Sequence, residues 1–239
     1  MESSELRQKL IAACSSPEFV LPPGEVVIQE PYIPHLPKVW KNGTLVLAES
    51  QNLGVGNEDY VQELRAMTPV QRFLRLQDAH RVRVQPWDDG TLKLAVAAVW
   101  GSPEVDRVAV SNAVPWSQRG PDGSLKSPSW RLQEKARGFW RGLLDILRPA
   151  RIVTTGAISY GVMSGFNEFD VLRWPSASSR ALAPLAGAYD EGKLLSRFPE
   201  VAEAIGRHPE WVSKSRKHKV LFCSLAMTQV GRSLDVHRT

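Results

Sequence analysis

Short hydrophobic runs alternate with segments of helical periodicity along the central part of the chain. The runs lie at residues 44–47, 106–110, 151–155 and 170–173. They are short and mostly apolar, as is typical of strands buried on both faces of a parallel sheet. The intervening segments place apolar residues at helical spacing, most clearly at 130–147. Strands separated by helices predict an α/β fold with a central, mostly parallel four-stranded sheet flanked by helices.

A proline-rich stretch and several weaker helical patterns complete the predicted organisation. Residues 17–37 are rich in proline and predict an extended segment that wraps the surface. The Thr68-Pro69 pair predicts a helix start, with threonine as the cap and proline in the first turn. The other predicted helices lie at residues 5–14, 68–79, 91–100, 157–163 and 200–211. We therefore expect an N-terminal helix and arm at 1–43, packed on a single α/β domain at 44–239.

Charge and cysteine usage narrow the class of protein. The net charge of +5 and the isoelectric point near 9.4 permit an anionic partner, with nucleic acid the first candidate. Cys14 and Cys223 lie far apart in apolar settings without metal-ligand spacing, so we expect buried thiols, no cofactor and no metal. No apolar run approaches the ~20 residues of a membrane span, and the N-terminus lacks a secretory pattern. These features predict a monomeric cytoplasmic protein that does not bind membranes.

Polar side chains follow the predicted strands where the strands end. The first strand leads into Glu49, Gln51 and Asn52, and the second ends at Ser111 and Asn112. The fourth leads into a Trp-Pro-Ser sequence at 174–176. The carboxyl ends of parallel strands meet at one edge of the sheet, where open α/β sheets bind their ligands. We therefore expect the functional site at this edge.

These strand ends resemble the motifs of the uracil-DNA glycosylase superfamily. The segment 48–54 stands where the family carries its water-activating motif, and 108–116 resembles the second motif, a strand that ends in Asn. Residues 139–156 resemble the family's helix–Pro–strand–Gly segment, and 173–179 resembles its His-Pro-Ser loop. The resemblance covers roughly residues 44–182. It implies a three-layer α/β sandwich and an enzyme that flips a base out of DNA and excises it.

The resemblance also implies roles for individual residues. The residue that handles the water is either Glu49 or Asn52, because the turn carries an insertion relative to both forms of the family motif. Asn112 stands in the position that pairs with the base. The predicted base-binding residues are Gln51, Asn112, Trp116, Trp174 and Ser176. No lysine stands in the motifs to form a Schiff base, so the expected activity is monofunctional, without a lyase step.

Basic and hydroxyl side chains provide the expected contacts to DNA. The loop after the fourth strand resembles the segment that inserts into the duplex, and the basic run 214–219 precedes a final apolar segment of undetermined type, 220–227. Basic side chains of this kind neutralise phosphates. The predicted DNA-binding residues are Arg173, Ser178, Ser179, Arg180, Lys214, Arg216 and Lys217.

Two departures from the family pattern bear on the substrate. Trp174 replaces the histidine that in the family donates to a pyrimidine oxygen. Small residues at 53–56 replace a bulky aromatic that bars a substituent at the pyrimidine 5-position. Both changes favour a larger, modified pyrimidine, such as a hypermodified cytosine of phage DNA, and hence a role in antiviral defence.

Three alternatives remain open at the level of the sequence. The protein could excise uracil in DNA repair. It could be a non-catalytic nucleic-acid-binding module on the same fold, in which the polar groups read a base without releasing it. It could also be a small-molecule enzyme, such as a nucleoside-processing α/β protein. Salt-dependent binding to DNA would argue against this last class.

Overall fold

A four-stranded parallel sheet forms the centre of the computed structural model. The structure describes residues 3–32, 35–37, 40–51, 53–54, 56–72, 74–75, 89–213 and 215–230. The strands are β1 (Thr44–Ala48), β2 (Val108–Asn112), β5 (Arg151–Thr155) and β6 (Val171–Trp174), in the spatial order β2-β1-β5-β6. Two short antiparallel strands, β3 (Gln118–Arg119) and β4 (Leu125–Lys126), form a separate ribbon. The predicted α/β class with four parallel strands is confirmed.

Helices connect and cover these strands. They are α1 (Ser3–Cys14), α2 (Glu58–Ala66), α3 (Thr91–Trp100), α4 (Trp130–Leu147), α5 (Ala157–Met163), α6 (Ser179–Ala186), α7 (Glu191–Arg197), α8 (Pro199–Arg207) and α9 (Arg216–Gln229). Short 3-10 helices lie at Pro17–Phe19, Ser102–Arg107 and Pro209–Ser213. Residues 69–72 and 74–75 are also helical.

Most predicted elements are present, and several bounds require correction. The predicted start at Thr68 is confirmed, because its hydroxyl accepts from Gln71 N while Gln71 Oε1 accepts from Thr68 N. The sequence patterns missed α2, α6 and α7, whose apolar stripes are short. The second strand begins at Val108 instead of 106, and the predicted helix 200–211 ends at Arg207. The final apolar segment is helical, and residues 216–219 of the basic run form its first turn.

Each face of the sheet has its own hydrophobic layer. In β1, Leu45 and Leu47 face a first layer that includes residues of α1 and α4, whereas Val46 faces a second layer formed largely by α3, α8 and α9. The two faces follow from the alternation of side chains along a strand. The result is a three-layer sandwich.

The N-terminal arm packs on the first layer and on one edge of the sheet. Leu6 and Leu10 of α1 are buried in that layer. His35 forms an antiparallel bridge with Val110 through two backbone hydrogen bonds of 2.9 and 3.1 Å. The arm therefore covers an edge of β2, whose backbone groups are otherwise open to solvent or to another chain.

Candidate functional site

The four parallel strands end at a common level, and one row of side chains marks that level. Ala48 pairs with Asn112 in register, and Thr155 pairs with Trp174. Alternation from Val46, Val110 and Val153 puts all four on the face of the second layer. The row therefore combines a carboxamide, a methyl group, a hydroxyl and an indole at the carboxyl edge of the sheet.

Asn112 carries polar atoms that the rest of the described chain leaves unsatisfied. Its side chain is fully buried, and neither Oδ1 nor Nδ2 has a hydrogen-bond partner among the described residues. A buried polar group without a partner costs about 1–3 kcal/mol, so folded proteins contain few of them. A carboxamide with two such atoms at the ligand edge of an α/β sheet is typical of a group that a bound molecule satisfies.

Trp174 also has an unsatisfied polar atom, but its ring belongs to the core. The indole is 1% exposed, stacks with Trp100 at 5.7 Å between centroids, and meets Phe222 edge-on at 6.1 Å. Its Nε1 lacks a hydrogen-bond partner within the described residues. The ring is therefore packed against aromatic neighbours, and its indole N–H is the polar group that the described chain leaves unsatisfied.

Glu49 lies directly after β1, beside the end of β2. Ala113 N donates to Ala48 O at 2.7 Å, and Val114 N donates to Glu49 O at 2.9 Å. These bonds continue the pairing of the two strands beyond their ends and hold the Glu49 backbone next to the Asn112 strand. The Glu49 side chain is half-buried, and burial raises the pKa of its carboxyl group. A carboxyl group with a raised pKa is suited to proton transfer near neutral pH.

The turn after Glu49 is fastened to the ribbon by hydrogen bonds across about 65 residues of sequence. Ser117 Oγ donates to Gln51 O at 2.6 Å. Arg119 donates through Nε to Leu53 O and through Nη2 to Gly54 O, the latter at 3.1 Å. Neither Ser117 nor Arg119 was predicted from the sequence, since nothing in their local pattern indicates a contact with a turn so far away.

The predicted base-binding residue Gln51 lines a small cavity on the side of the arm. The cavity has a volume of about 20 Å³, room for about one water, and its walls also include Cys14, Tyr32 and Arg72. Arg72 Nη1 pairs with Glu30 at 2.9 Å, and this hydrogen bond holds the pKa of Glu30 below its ordinary value. Neither Glu49 nor Asn112 lines this cavity.

Trp116, also predicted to bind a base, is a core residue of the first layer. It is 1% exposed, its Nε1 donates to Gln29 O at 3.1 Å, and its ring packs on Phe139 at 5.9 Å. The structure does not bring it to the row that contains Asn112. Asn52, the second candidate for the water-handling residue, lies outside the described residues.

Two segments predicted to bind DNA lie against each other. His218 Nε2, in the first turn of α9, is 3.2 Å from Ala177 O in the loop after β6. In this loop Ser176 Oγ accepts from Ser178 N, and Ser178 Oγ caps α6 by accepting from Ala181 N. The side chains of these segments that are at least partly exposed include Arg173, Ser179, Arg180, Arg216 and Lys217. Lys214 lies outside the described residues.

Arg173 has an additional contact on the opposite face of the sheet from Trp174. Its guanidinium carbon is 5.5 Å from the centroid of the Tyr160 ring. This cation–π contact joins the exposed Arg173 side chain to α5. Arg173 therefore flanks the carboxyl edge without entering the row.

Metal-ligand groups, thiols and apolar helices were the other features of the described residues that could indicate a chemistry. No three His, Cys, Asp or Glu side chains there are grouped so that they could hold a metal ion. Burial raises the pKa of the Cys14 and Cys223 thiols, which makes both thiols unreactive. Among the described helices, none combines the length and apolar character needed to cross a membrane.

Comparison with known proteins does not assign the chain to a family. No protein-family model matches the chain, and no curated protein is similar to it. The resemblance to the uracil-DNA glycosylase superfamily therefore stays a prediction. The carboxyl-edge row and the turn after Glu49 are the features of the described structure that bear on function.

Proposed function

We propose that the protein is a monofunctional DNA glycosylase that flips out a modified pyrimidine and excises it, leaving an abasic site. One observation carries the proposal. The fully buried carboxamide of Asn112 has two polar atoms without partners among the described residues, and it lies on the strand next to the half-buried Glu49. A carboxamide offers a donor and an acceptor side by side, the pattern that reads the edge of a flipped base.

The strand order supports this location for the site. From β1 the chain crosses to β2 on one side, and from β5 it crosses to β6 on the other. The connections diverge between β1 and β5, and ligands of open α/β sheets bind in the crevice at such a switch point. The turn that contains Glu49 follows β1, one of the two strands that border this crevice. The strand-end motifs that resemble the glycosylase family lie on the same edge.

The proposed chemistry requires few groups. Asn112 holds the flipped base through its edge, and the bond between the base nitrogen and C1′ of the sugar breaks. An ionised Glu49 stabilises the positive charge that develops on the sugar and accepts a proton from the water that adds to C1′. The base leaves with the bonding electrons and is then protonated. Asn52 is the alternative group for orienting the water.

Basic side chains in two neighbouring segments that are at least partly exposed support DNA as the partner. Arg180, Arg216 and Lys217 come from two segments that contact each other through His218 and Ala177. Phosphate contacts by these side chains would make the affinity fall with salt. We propose that the protein acts as a monomer in the cytoplasm, where excision of modified bases from phage DNA would serve antiviral defence.

A module that reads a base without releasing it is the second candidate, and one observation favours it. The ring of Trp174, which replaces the family's histidine, is packed between Trp100 and Phe222. It therefore supplies at most an indole N–H to the base. Fewer hydrogen-bond donors to stabilise the departing base favour a site that recognises a base over one that releases it.

Base release on three DNA substrates tests the proposal. Purified protein is incubated with plain DNA, uracil-containing DNA and phage DNA carrying hypermodified cytosine, and abasic sites are detected by alkaline strand cleavage. We expect cleavage of the modified DNA by the wild type and by the exposed-carboxylate control Glu168→Gln, but not by Asn112→Leu or Glu49→Gln.

The possible outcomes separate the candidates. Abasic sites in uracil DNA only would identify a repair glycosylase and overturn the modified-base proposal. DNA binding without base release from any substrate would favour the reading module. Equal activity of Asn112→Leu and the wild type would remove the observation on which the proposal rests.

A further inference from the structure

A tryptophan at the start of α4 is unusually open to solvent. Trp130 is 74% exposed, the highest value among the exposed large hydrophobic residues of the described chain. Most of its ring is therefore in water, although other tryptophans of this chain are buried. Single exposed apolar residues are common on protein surfaces, but tryptophan is also enriched among the residues that dominate an interface when a partner covers them.

The position of Trp130 relates it to the proposed site. Helix α4 ends at Leu147, just before β5 begins at Arg151, so α4 runs antiparallel to the strands of the sheet. Its first residue consequently lies at the carboxyl edge, where Glu49 and Asn112 also lie. Trp130 is thus an exposed ring at the rim of the edge that carries the unsatisfied carboxamide.

The ring stands on a fixed support. Ser129, the residue before it, caps α4 through its hydroxyl and donates its backbone N–H to Gln118 Oε1 at 2.9 Å. Gln118 belongs to β3, and its neighbour Arg119 binds the carbonyls of Leu53 and Gly54. The rim that carries Trp130 is therefore connected to the turn after Glu49 by a short series of hydrogen bonds.

The charges around the ring indicate what kind of partner it fits. Arg131 and Lys126 are exposed, and Arg131 forms no ion pair with any part of the chain that the structure describes. Asp122, in the turn of the ribbon, is the acidic group close to Lys126 and has a lowered pKa, chiefly because of hydrogen bonds from Ser124. Arg131 also lines a cavity together with Lys135, Glu25 and Glu134. An exposed planar ring with Arg131 next to it in the chain matches a nucleic-acid strand, which offers base faces for stacking and phosphates for the cations.

We infer that Trp130 stacks on an unpaired base of the DNA strand, with Arg131 and Lys126 on the adjacent phosphates. The inference rests on the proposed function for the identity of the strand as DNA with one flipped nucleotide. It adds a contact outside the base pocket. The ring holds a neighbouring base at the rim while the target nucleotide occupies the carboxyl edge.

Binding measurements separate stacking from phosphate contact. The anisotropy of a fluorescein-labelled 20-nucleotide single strand reports affinity for wild type, Trp130→Ala, Trp130→Phe and Arg131→Gln at several salt concentrations. We expect Trp130→Ala to weaken binding about 10-fold to 100-fold at every salt concentration, with the salt slope unchanged. Trp130→Phe retains most of the affinity, whereas Arg131→Gln lowers the slope by about 0.7.

A matched control tests whether any exposed apolar side chain has the same effect. Leu74 is 53% exposed and lies in the helical residues 74–75, outside the ribbon and α4. We expect Leu74→Ala to bind as the wild type does. Because Trp130 is mostly in solvent, Trp130→Ala is expected to unfold at the same temperature as the wild type, which distinguishes a lost contact from a lost fold.

The results separate failure of this inference from failure of the proposed function. If Trp130→Ala binds DNA like the wild type while the wild type releases base, the stacking contact is wrong and the glycosylase proposal stands. If Trp130→Ala weakens binding but the wild type releases no base from any DNA, the contact is supported and the glycosylase proposal is wrong. A wild type that binds no DNA would overturn both.

Discussion

The tryptophans on the two faces of the sheet are similarly surrounded by apolar side chains but differ in their hydrogen bonds. In the first layer the indoles of Trp40, Trp116 and Trp140 donate to the carbonyls of Leu147, Gln29 and Ala113, respectively. In the second layer Trp174 is equally apolar in its surroundings, yet its N–H has no hydrogen-bond partner within the described residues. Asn112, on the same face, is unsatisfied at both polar atoms.

This difference shows which buried polar groups lower the stability of the fold. A buried donor that is satisfied within the chain contributes to stability, whereas an unsatisfied one subtracts from it. Positions at which a protein breaks a rule of stable folding, such as the pairing of buried polar groups, are commonly functional. The first-layer indoles therefore act as structural residues. At the row on the carboxyl edge, a ligand could supply the hydrogen bonds that the described chain does not.

The largest expected effect contrasts two substitutions of the same kind. Trp140→Phe leaves Ala113 O without its donor and opens space in the core, so we expect a loss of about 2–4 kcal/mol in the free energy of unfolding. Trp174→Phe opens similar space but removes an unsatisfied donor, so we expect a smaller loss of about 0–2 kcal/mol. Urea denaturation of both variants measures the difference. Equal losses would contradict the distinction between the two layers.

Removing the unsatisfied carboxamide should stabilise the protein while abolishing its proposed activity. Leucine has the same branching as asparagine and needs no hydrogen bond, but its two methyl groups are larger than the carboxamide and cost some overpacking. We expect Asn112→Leu to raise the free energy of unfolding by about 0–2 kcal/mol, which is the removed cost of the unsatisfied group less that overpacking. The corresponding rise in melting temperature is at most about 8 °C for a chain of this size. Base release should be lost in the same variant.

A buried hydroxyl with a partner supplies the control for Asn112. Ser159 Oγ donates to Thr155 O at 2.6 Å, so Ser159→Ala should lower stability by about 0.5–1.5 kcal/mol. Thermal unfolding of both variants under one set of conditions gives the comparison. A loss of more than about 3 kcal/mol in Asn112→Leu, beyond what overpacking costs, would show that the carboxamide is satisfied in solution.

The side-chain hydrogen bonds that Arg119 donates to the turn after Glu49 can be removed by one substitution. Arg119→Ala removes the donors to Leu53 O and Gly54 O, which should lower the free energy of unfolding by about 1 kcal/mol. We expect slower base release with little change in DNA affinity, because the substitution loosens the turn and not the exposed basic segments. Single-turnover kinetics and anisotropy separate the two. Unchanged kinetics would mean that the catalytic position of the turn does not depend on the Arg119 hydrogen bonds.

The smallest expected effect concerns Glu49 and depends on pH. Burial raises its pKa above the ordinary 4.5, so the folded state keeps the proton at pH values where the unfolded chain has lost it. Stability of the wild type therefore falls as pH rises through this interval, whereas Glu49→Gln has no such loss. We expect the two proteins to be equally pH-dependent below the interval, and the variant to gain on the wild type within it and to keep that gain above it.

Denaturation of wild type and Glu49→Gln at pH values from below 4.5 to neutral measures this effect. The exposed carboxylate variant Glu168→Gln serves as the reference for the loss of a charge alone. A constant difference between wild type and Glu49→Gln over the whole range would show that burial does not affect this carboxyl group.

Some features of the molecule follow directly from local sequence. The apolar stripe of α4 predicted its bounds at Trp130 and Leu147, and the short run at 151–155 predicted β5. The Thr68 cap was recognisable because a capping hydrogen bond joins residues three apart. In each case the decisive interactions lie within a few residues, so periodicity and cap chemistry are sufficient.

The roles of single side chains at the site did not follow in this way. Trp116 and Trp174 look alike in sequence, each near a strand end and polar residues, yet one donates to Gln29 and the other has an unsatisfied N–H. Arg119 showed no local feature that linked it to the turn at 53–54. These roles depend on partners about 65 to 87 residues away, which no local pattern specifies.

The sequence by itself determined the α/β class, the parallel sheet and the edge at which polar residues follow the strands. These features depend on hydrophobic periodicity, which is set by residues close together in the chain. The tertiary structure decided which of those polar residues are satisfied by the chain and which are not. It also brought the loop after β6 against α9, and the ribbon against the turn after Glu49. Hydrogen-bond satisfaction is a property of packed neighbours, so it exists only once distant segments are in place.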